Sequence, residues 1–245
     1  MDDDTLLETL SNAARAVRTA LNRLDDWGLA GTKPGQYRCD LAADAAAVEV
    51  LHGAGLAVLS EESGRTGGER SMTVILDPVD GSTNAALGLP WYATSLCALD
   101  EDGPRAALVV NQASGVTYEA VRGGGARRDG LAIAPSGCQE LTEAVIGISG
   151  FPEHDPGWGQ FRALGSAALD HCAVAEGVLD GYTLVGGSWL HGWDYLGGML
   201  VCLEAGAVVG ERSGSGPFVR DASPRSPVVA ATPELLAALL VSTSR

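Results

Sequence analysis

Thr73-Val74-Ile75-Leu76-Asp77-Pro78-Val79-Asp80-Gly81-Ser82-Thr83-Asn84 is the stretch on which the fold turns. Its first four residues are apolar or β-branched and read as a short buried strand that ends at Asp77. Asp-Pro and Asp-Gly are turn dipeptides, so the chain changes direction immediately afterwards. One strand earlier, Ala57-Val58-Leu59 runs into Ser60-Glu61-Glu62. Far downstream, Trp193-Asp194 opens an apolar helix that continues to Ala205 and is closed by Gly206. Each acidic group thus sits just after a strand or just inside a helix. Such ends gather at one edge of a sheet.

Working outward from these strands, Leu6, Leu10, Ala13, Val17, Leu21 and Leu24 recur at helical spacing behind a Thr5–Glu8 capping box. This predicts an amphipathic helix over residues 5–25. A second helix is expected from about Asp40 to His52, and a polar, Gly-rich loop from Ser63 to Ser71. Residues from Trp91 to Ile133 read as an antiparallel meander, with Gly123-Gly124-Gly125 as a hairpin turn. The second half reads as a strand at Val145–Ile148, a largely helical stretch over 157–176 and an extended stretch over 178–185. Strands at Val208-Val209 and Val228–Ala231 follow, and Pro233 starts a last helix. Helix pairs alternating with sheets predict a layered α+β sandwich forming one unit. It has an N-terminal α+β part of about residues 1–138 and a C-terminal α/β part of about 139–245.

Composition narrows the class of function. Hydrophobic residues make up 46% and charged residues 19%, as in ordinary globular chains. A net charge of −15 argues against nucleic acid or an anionic membrane as partner, since both are held by Lys and Arg clusters. No apolar run approaches the ~20 residues that span a bilayer, and Met1-Asp2-Asp3-Asp4 has the wrong sign for a signal or transit peptide. The five cysteines are scattered and never form a CxxC pair, so free thiols and a cytoplasmic location are expected. No G-x-S-x-G elbow is present, which disfavours a serine hydrolase.

The chemistry is that of carboxylates. Glu61-Glu62, Asp77, Asp80 and Asp194 brought together would repel one another and raise each other's pKa unless a cation compensates. Oxygen ligands without histidine or cysteine suit Mg²⁺, Mn²⁺ or Ca²⁺ rather than zinc. A helix beginning in the Gly81–Asn84 segment would point free amides at a phosphate beside the metals. Taken singly, each of these acids is an ordinary turn or cap residue. Their order and placement together make a site.

Glu-Glu after a strand, then DPVDGSTN, then Trp-Asp before a small-residue helix resemble the three signature motifs of the inositol monophosphatase family. The only departure in the central motif is Ser82 where the family has threonine. The resemblance covers nearly the whole chain and implies a five-layered αβαβα sandwich. It further implies two or three Mg²⁺ ions per site, lithium inhibition and a homodimer. By position, it assigns Glu61, Asp77, Asp80, Asp194 and the Val79 carbonyl to the metals, and the Gly81 and Ser82 amides to the phosphate. Asp44 matches the acid that works with the Ser82 hydroxyl and Glu61 to place and deprotonate the attacking water. Glu62 and Thr83 would support these groups from behind. Gly165-Ser166-Ala167 and Lys33 match substrate-contacting segments.

The implied activity is hydrolysis of a small phosphomonoester, such as an inositol phosphate or a related sugar or amino-alcohol phosphate, by activated water. One departure bears on the substrate. Where the inositol-cleaving enzymes carry an acid seven residues before the Trp-Asp aspartate, this chain has Gly187, and residues 181–193 contain no acid. Histidinol phosphate is therefore an alternative substrate. A 3′-phosphonucleotide or NADP is another, although the sequence offers no cluster of basic or aromatic residues for a base or extra phosphates. A binding protein without catalysis is the alternative of a different class.

Overall fold

The first helix shows how the sequence builds the outer layer. The computed structural model describes residues 1–242 apart from Ser215 and Ala222. Helix α1 (Asp3–Leu21) buries Leu6, Leu10, Ala13, Val17 and Leu21 along one face. Its N-cap is Asp2 rather than Thr5: the Asp2 carboxylate accepts from the Thr5 amide at 2.8 Å. Aspartate caps as well as threonine and lies three residues earlier, so the helix starts earlier and also ends earlier than its periodicity suggests. Helix α2 (Arg38–Gly53) packs beside it.

Strands β1 (Ala57–Ser60), β2 (Gly64–Thr66) and β3 (Thr73–Asp80) come next, followed by the short α3 (Ser82–Leu87). The expected meander is present as β4 (Ala93–Asp100), β5 (Gly103–Asn111), β6 (Thr117–Val121), β7 (Gly125–Arg128) and β8 (Leu131–Ala132). These strands form an eight-stranded sheet in the order β2-β1-β3-β4-β5-β6-β7-β8. Only β1 and β3 are parallel neighbours within it. The glycine run turns the β6–β7 hairpin, with the Gly124 amide on the Val121 carbonyl. The loop expected over 63–71 contains β2, because Gly64–Thr66 fold back onto β1 and gain a ladder in spite of their polarity.

The second half runs β9 (Val145–Ser149), β10 (Gln160–Arg162), α4 (Ala167–Ala175), β11 (Gly181–Leu184), α5 (Gly192–Ala205), β12 (Val208–Glu211), β13 (Pro227–Ala230) and α6 (Pro233–Ser242). Its five strands are ordered β10-β9-β11-β13-β12. The helix expected over 157–176 is confined to Ala167–Ala175: residues 160–162 pair with β9 as a strand, Gly165 turns at φ 88°, and Ser166 caps what remains. Every residue of α4 is buried, Asp170 and His171 included, because the helix lies with α5 between the two sheets.

Helices α1 and α2 cover one face of the large sheet, α4 and α5 fill the space between the sheets, and α6 closes the outer face of the small one. That is the five-layered αβαβα order. All five cysteines are free, and among the described residues no helix is long and apolar enough to cross a membrane.

Candidate active site

Strand register brings the first two acids side by side. In the parallel β1–β3 pair Ser60 faces Leu76, so Glu61, just past the end of β1, comes beside Asp77 of β3, and the Glu61 amide donates to the Leu76 carbonyl. Pro78 has no N–H to give the ladder. Between Asp77, opposite Ser95, and Asp80, opposite Ala93, the register slips by one residue. The bulge is pinned by the Thr94 hydroxyl on the Pro78 carbonyl and the Val79 amide on Asp77 Oδ1. Gly81 then turns at φ 90°, where a Cβ would meet the Gly165 and Trp91 carbonyls at 2.9 and 3.0 Å. Only glycine fits this turn into α3.

The third acid comes from α5. Asp194 sits three residues past the N-cap, and its carboxylate accepts from the His191 amide at 2.6 Å. Glu61, Asp77 and Asp194 each offer an oxygen, and these oxygens lie within 4.8 Å of one another. Glu61 is solvent-exposed, while Asp77 is 2% exposed. Burial, together with the charges of Glu61, Asp80 and Asp194, holds the Asp77 carboxyl well above the ordinary carboxylate range. Burial, Asp80 and Glu61 do the same to Asp194. Crowding by surrounding protein, then Glu62, Asp40 and Asp80, pushes Glu61 up to about 7, with Lys33 pulling the other way. Three converging oxygen donors, with Lys33 the cation acting on Glu61, fit a hard divalent ion. The mutual elevation is the electrostatic cost that such an ion would remove.

Asp80 stands one step behind this trio. Its Oδ2 accepts from Ser166 Oγ at 2.6 Å and from the Ala168 amide at 2.7 Å, at the N-terminus of α4. Burial raises its pKa to about 6 against those hydrogen bonds. The Ser166 side chain, expected to meet substrate, is 1% exposed and aligns this aspartate instead. Gly165 packs on Asn84 and Ala167 is buried, so the segment braces the motif loop from behind.

Asp44 is the acid expected beside Ser82. Asp44 accepts from the Ser60 and Ser63 hydroxyls and tethers α2 to the end of β1. Asp40, four residues earlier and about 6 Å along the helix axis, lies near Ser82, on the wall of the same cavity. Burial raises Asp40 to about 6, while hydrogen bonds from the Tyr37 amide and Ser82 restrain the rise. Lys33, Gln36, Asp40, Glu61, Glu62 and Ser82 line one cavity of about 340 Å³. Lys33 Nζ reaches the Glu62 carbonyl at 3.4 Å, and Gln36 donates to the Glu62 carboxylate. The Thr83 hydroxyl meets the Tyr37 phenol at 3.2 Å.

Sequence reasoning passed over Asp40, Gln36 and Asn84. The Asn84 amide donates to the carbonyls of Trp91 and Leu164 at 2.8 and 2.7 Å, fastening the motif loop to the second half. The available signal for Asp40 was its place in the first turn of α2, which points it at the strand ends. Gly187 turns at φ 73° with open space where a side chain would begin, beside the 152–156 segment.

Residues 38–245 match the model of the Inositol monophosphatase family. The chain is 33% identical to a fructose-1,6-bisphosphatase/inositol-1-monophosphatase of Archaeoglobus fulgidus, over 98% of both chains. It is 29% identical to Nus factor SuhB of Pasteurella multocida, over 94% of both. The inositol monophosphatase structure from Anabaena sp. PCC 7120 shares the fold, with a TM-score of 0.80 at 24% identity over 98% of this chain and 95% of that one. The chain belongs to the inositol monophosphatase family, whose members are phosphatases.

Proposed function

We propose that the protein is a Mg²⁺-dependent phosphomonoesterase acting on a small phosphorylated metabolite, an inositol phosphate or a related sugar or amino-alcohol phosphate. The observation that carries this reading is the convergence of Glu61, Asp77 and Asp194 oxygens beside the Asp40–Ser82 pair. Those three carboxylates, with Asp80 and the Val79 carbonyl, would hold two or three Mg²⁺ ions. When bound, the ions neutralise phosphoryl oxygens and lower the proton affinity of nearby water. The Gly81 and Ser82 amides receive the phosphate.

Asp40 takes the part first assigned to Asp44. The Ser82 hydroxyl orients a water towards phosphorus, and Asp40, with its pKa near 6, accepts the water's proton. The water oxygen bonds to phosphorus as the ester oxygen leaves with its electron pair, to be protonated by solvent. Lys33 at the cavity wall offers a positive charge to the incoming phosphate. One relative is named Nus factor SuhB; the converging carboxylates here favour catalysis. The test is phosphate release from inositol 1-phosphate, histidinol phosphate, fructose 1,6-bisphosphate, a 3′-phosphonucleotide and NADP, each with Mg²⁺ and with EDTA. Mg²⁺-dependent release ranks the leaving groups, while no release from any of them removes this reading.

A further inference from the structure

Two arginines from the β2 region and one from far downstream line a cavity away from the acidic cluster. Arg65 on β2, Arg70 in the loop before β3 and Arg220 between β12 and β13 line one cavity of about 250 Å³. Arg38, Arg105, Arg122 and Arg128 each pair with a carboxylate, whereas none of these three does among the described residues. They are braced by backbone carbonyls instead. Arg65 Nη2 donates to Arg220 O at 3.2 Å, and Arg220 Nη1 to Asp100 O at 2.6 Å. Arg70 donates to Gly67 O at 3.2 Å and to Gly55 O at 3.4 Å. A guanidinium carries five N–H groups, so donors remain on each.

Gathering three like charges is unfavourable unless a counter-charge is supplied, and this occurs in a chain of net charge −15. Ser71 and Thr73 share the same wall. The one acid there, Glu101, is exposed and meets Arg220 through its backbone carbonyl. All three arginines are exposed, and planar, multiply donating cations with hydroxyls beside them are the complement of a phosphate dianion. We propose that this pocket binds the phosphate group of a small phosphorylated molecule. Arg65 is the register partner of Leu59, two residues before Glu61, so the pocket's strand lies roughly 7 Å along β1 from the acidic cluster. The phosphate could belong to the far end of a bisphosphorylated substrate or to a separate phosphorylated ligand. The site stands independently of the catalytic reading, because binding is measured without turnover.

The experiment titrates inorganic phosphate into the full-length protein in EDTA, against chloride of matched ionic strength. Without cations the acidic site repels phosphate, so saturable binding reports the arginines. R65Q/R70Q is expected to weaken phosphate binding at least tenfold, with an unchanged circular dichroism spectrum, and R65K/R70K to retain part of it. Unchanged affinity in R65Q/R70Q, or an equal loss in the remote variant R15Q, overturns the proposal. With Mg²⁺ restored, a KM increase confined to bisphosphates identifies a substrate's distal phosphate. Loss of a phosphate effect on monophosphate turnover, at constant KM, identifies a separate ligand.

Discussion

Replacing Ser166 by alanine isolates what holds Asp80. Asp80 Oδ2 receives the Ser166 hydroxyl at 2.6 Å and the Ala168 amide at 2.7 Å, and both oppose the burial that lifts its pKa to about 6. A hydrogen bond to a charged group contributes about 1.5–3 kcal/mol, and one pKa unit corresponds to about 1.4 kcal/mol. Losing the hydroxyl should therefore raise Asp80 by roughly one to two units, so that it carries a proton near neutrality. Cation binding requires the ionised form, so the Mg²⁺ requirement moves to higher pH by the same amount. The same hydroxyl caps α4, and a net stability loss of about 2 kcal/mol would lower Tm by about 4–8 °C. The assay is the Mg²⁺ concentration for half-maximal phosphate release, measured from pH 6 to pH 9, with S166T as the conservative control. An unchanged Mg²⁺ profile with a raised KM for hydroxyl-rich substrates would return Ser166 to a substrate contact and refute the reasoning.

Asp40→Asn is expected to lower kcat by about 10²–10⁴ with little change in Tm. Asp44→Asn should instead lower Tm while folded enzyme keeps most of its turnover; the two are compared by steady-state kinetics and thermal melts. In the metal-free protein Glu61, Asp77, Asp80 and Asp194 all titrate above their unfolded values. The folded state then binds more protons than the unfolded chain between about pH 4 and 7, so these groups lower stability as pH rises. His171, pushed down to about 4 by burial, acts in the opposite sense below about pH 6.5. Mg²⁺ should consequently raise Tm by several degrees at pH 8 and hardly at all at pH 5, as read by calorimetry. Millimolar lithium should inhibit turnover at fixed Mg²⁺; insensitivity in a lithium titration would indicate a different donor set at the second cation.

The parts legible in the sequence were those with local causes. β3 reads from four consecutive apolar or branched residues, and α5 from an apolar run closed by Gly206, which adopts φ 96°. The Glu61, Asp77 and Asp194 meeting followed because all three abut such elements. The parts not legible have causes elsewhere in the chain. β2 is polar and exists because β1 offers it a ladder. β10 carries no strand signal of its own, because its partner β9 lies fifteen residues upstream in register, Gln160 facing Val145. Asp40 and Asp44 share one helix face, and only the docking of α2 against the strand ends decides which of them reaches Ser82. The Ser166–Asp80 bond and the Arg65–Arg220 contact join residues 86 and 155 positions apart, which no local pattern encodes.

The two hydrogen bonds from the Asn84 amide join Trp91 in the first half to Leu164 in the second. Asp194 and the brace on Asp80 also come from the second half, whereas Glu61 and Asp77 come from the first. Neither half alone owns a complete cation cage. A cation held by Glu61, Asp77 and Asp194 would therefore require both halves to have closed on each other. A chain severed between residues 135 and 143 would regain turnover only through fragment complementation. Such a split pair would make the enzyme's own product a reporter of fragment association.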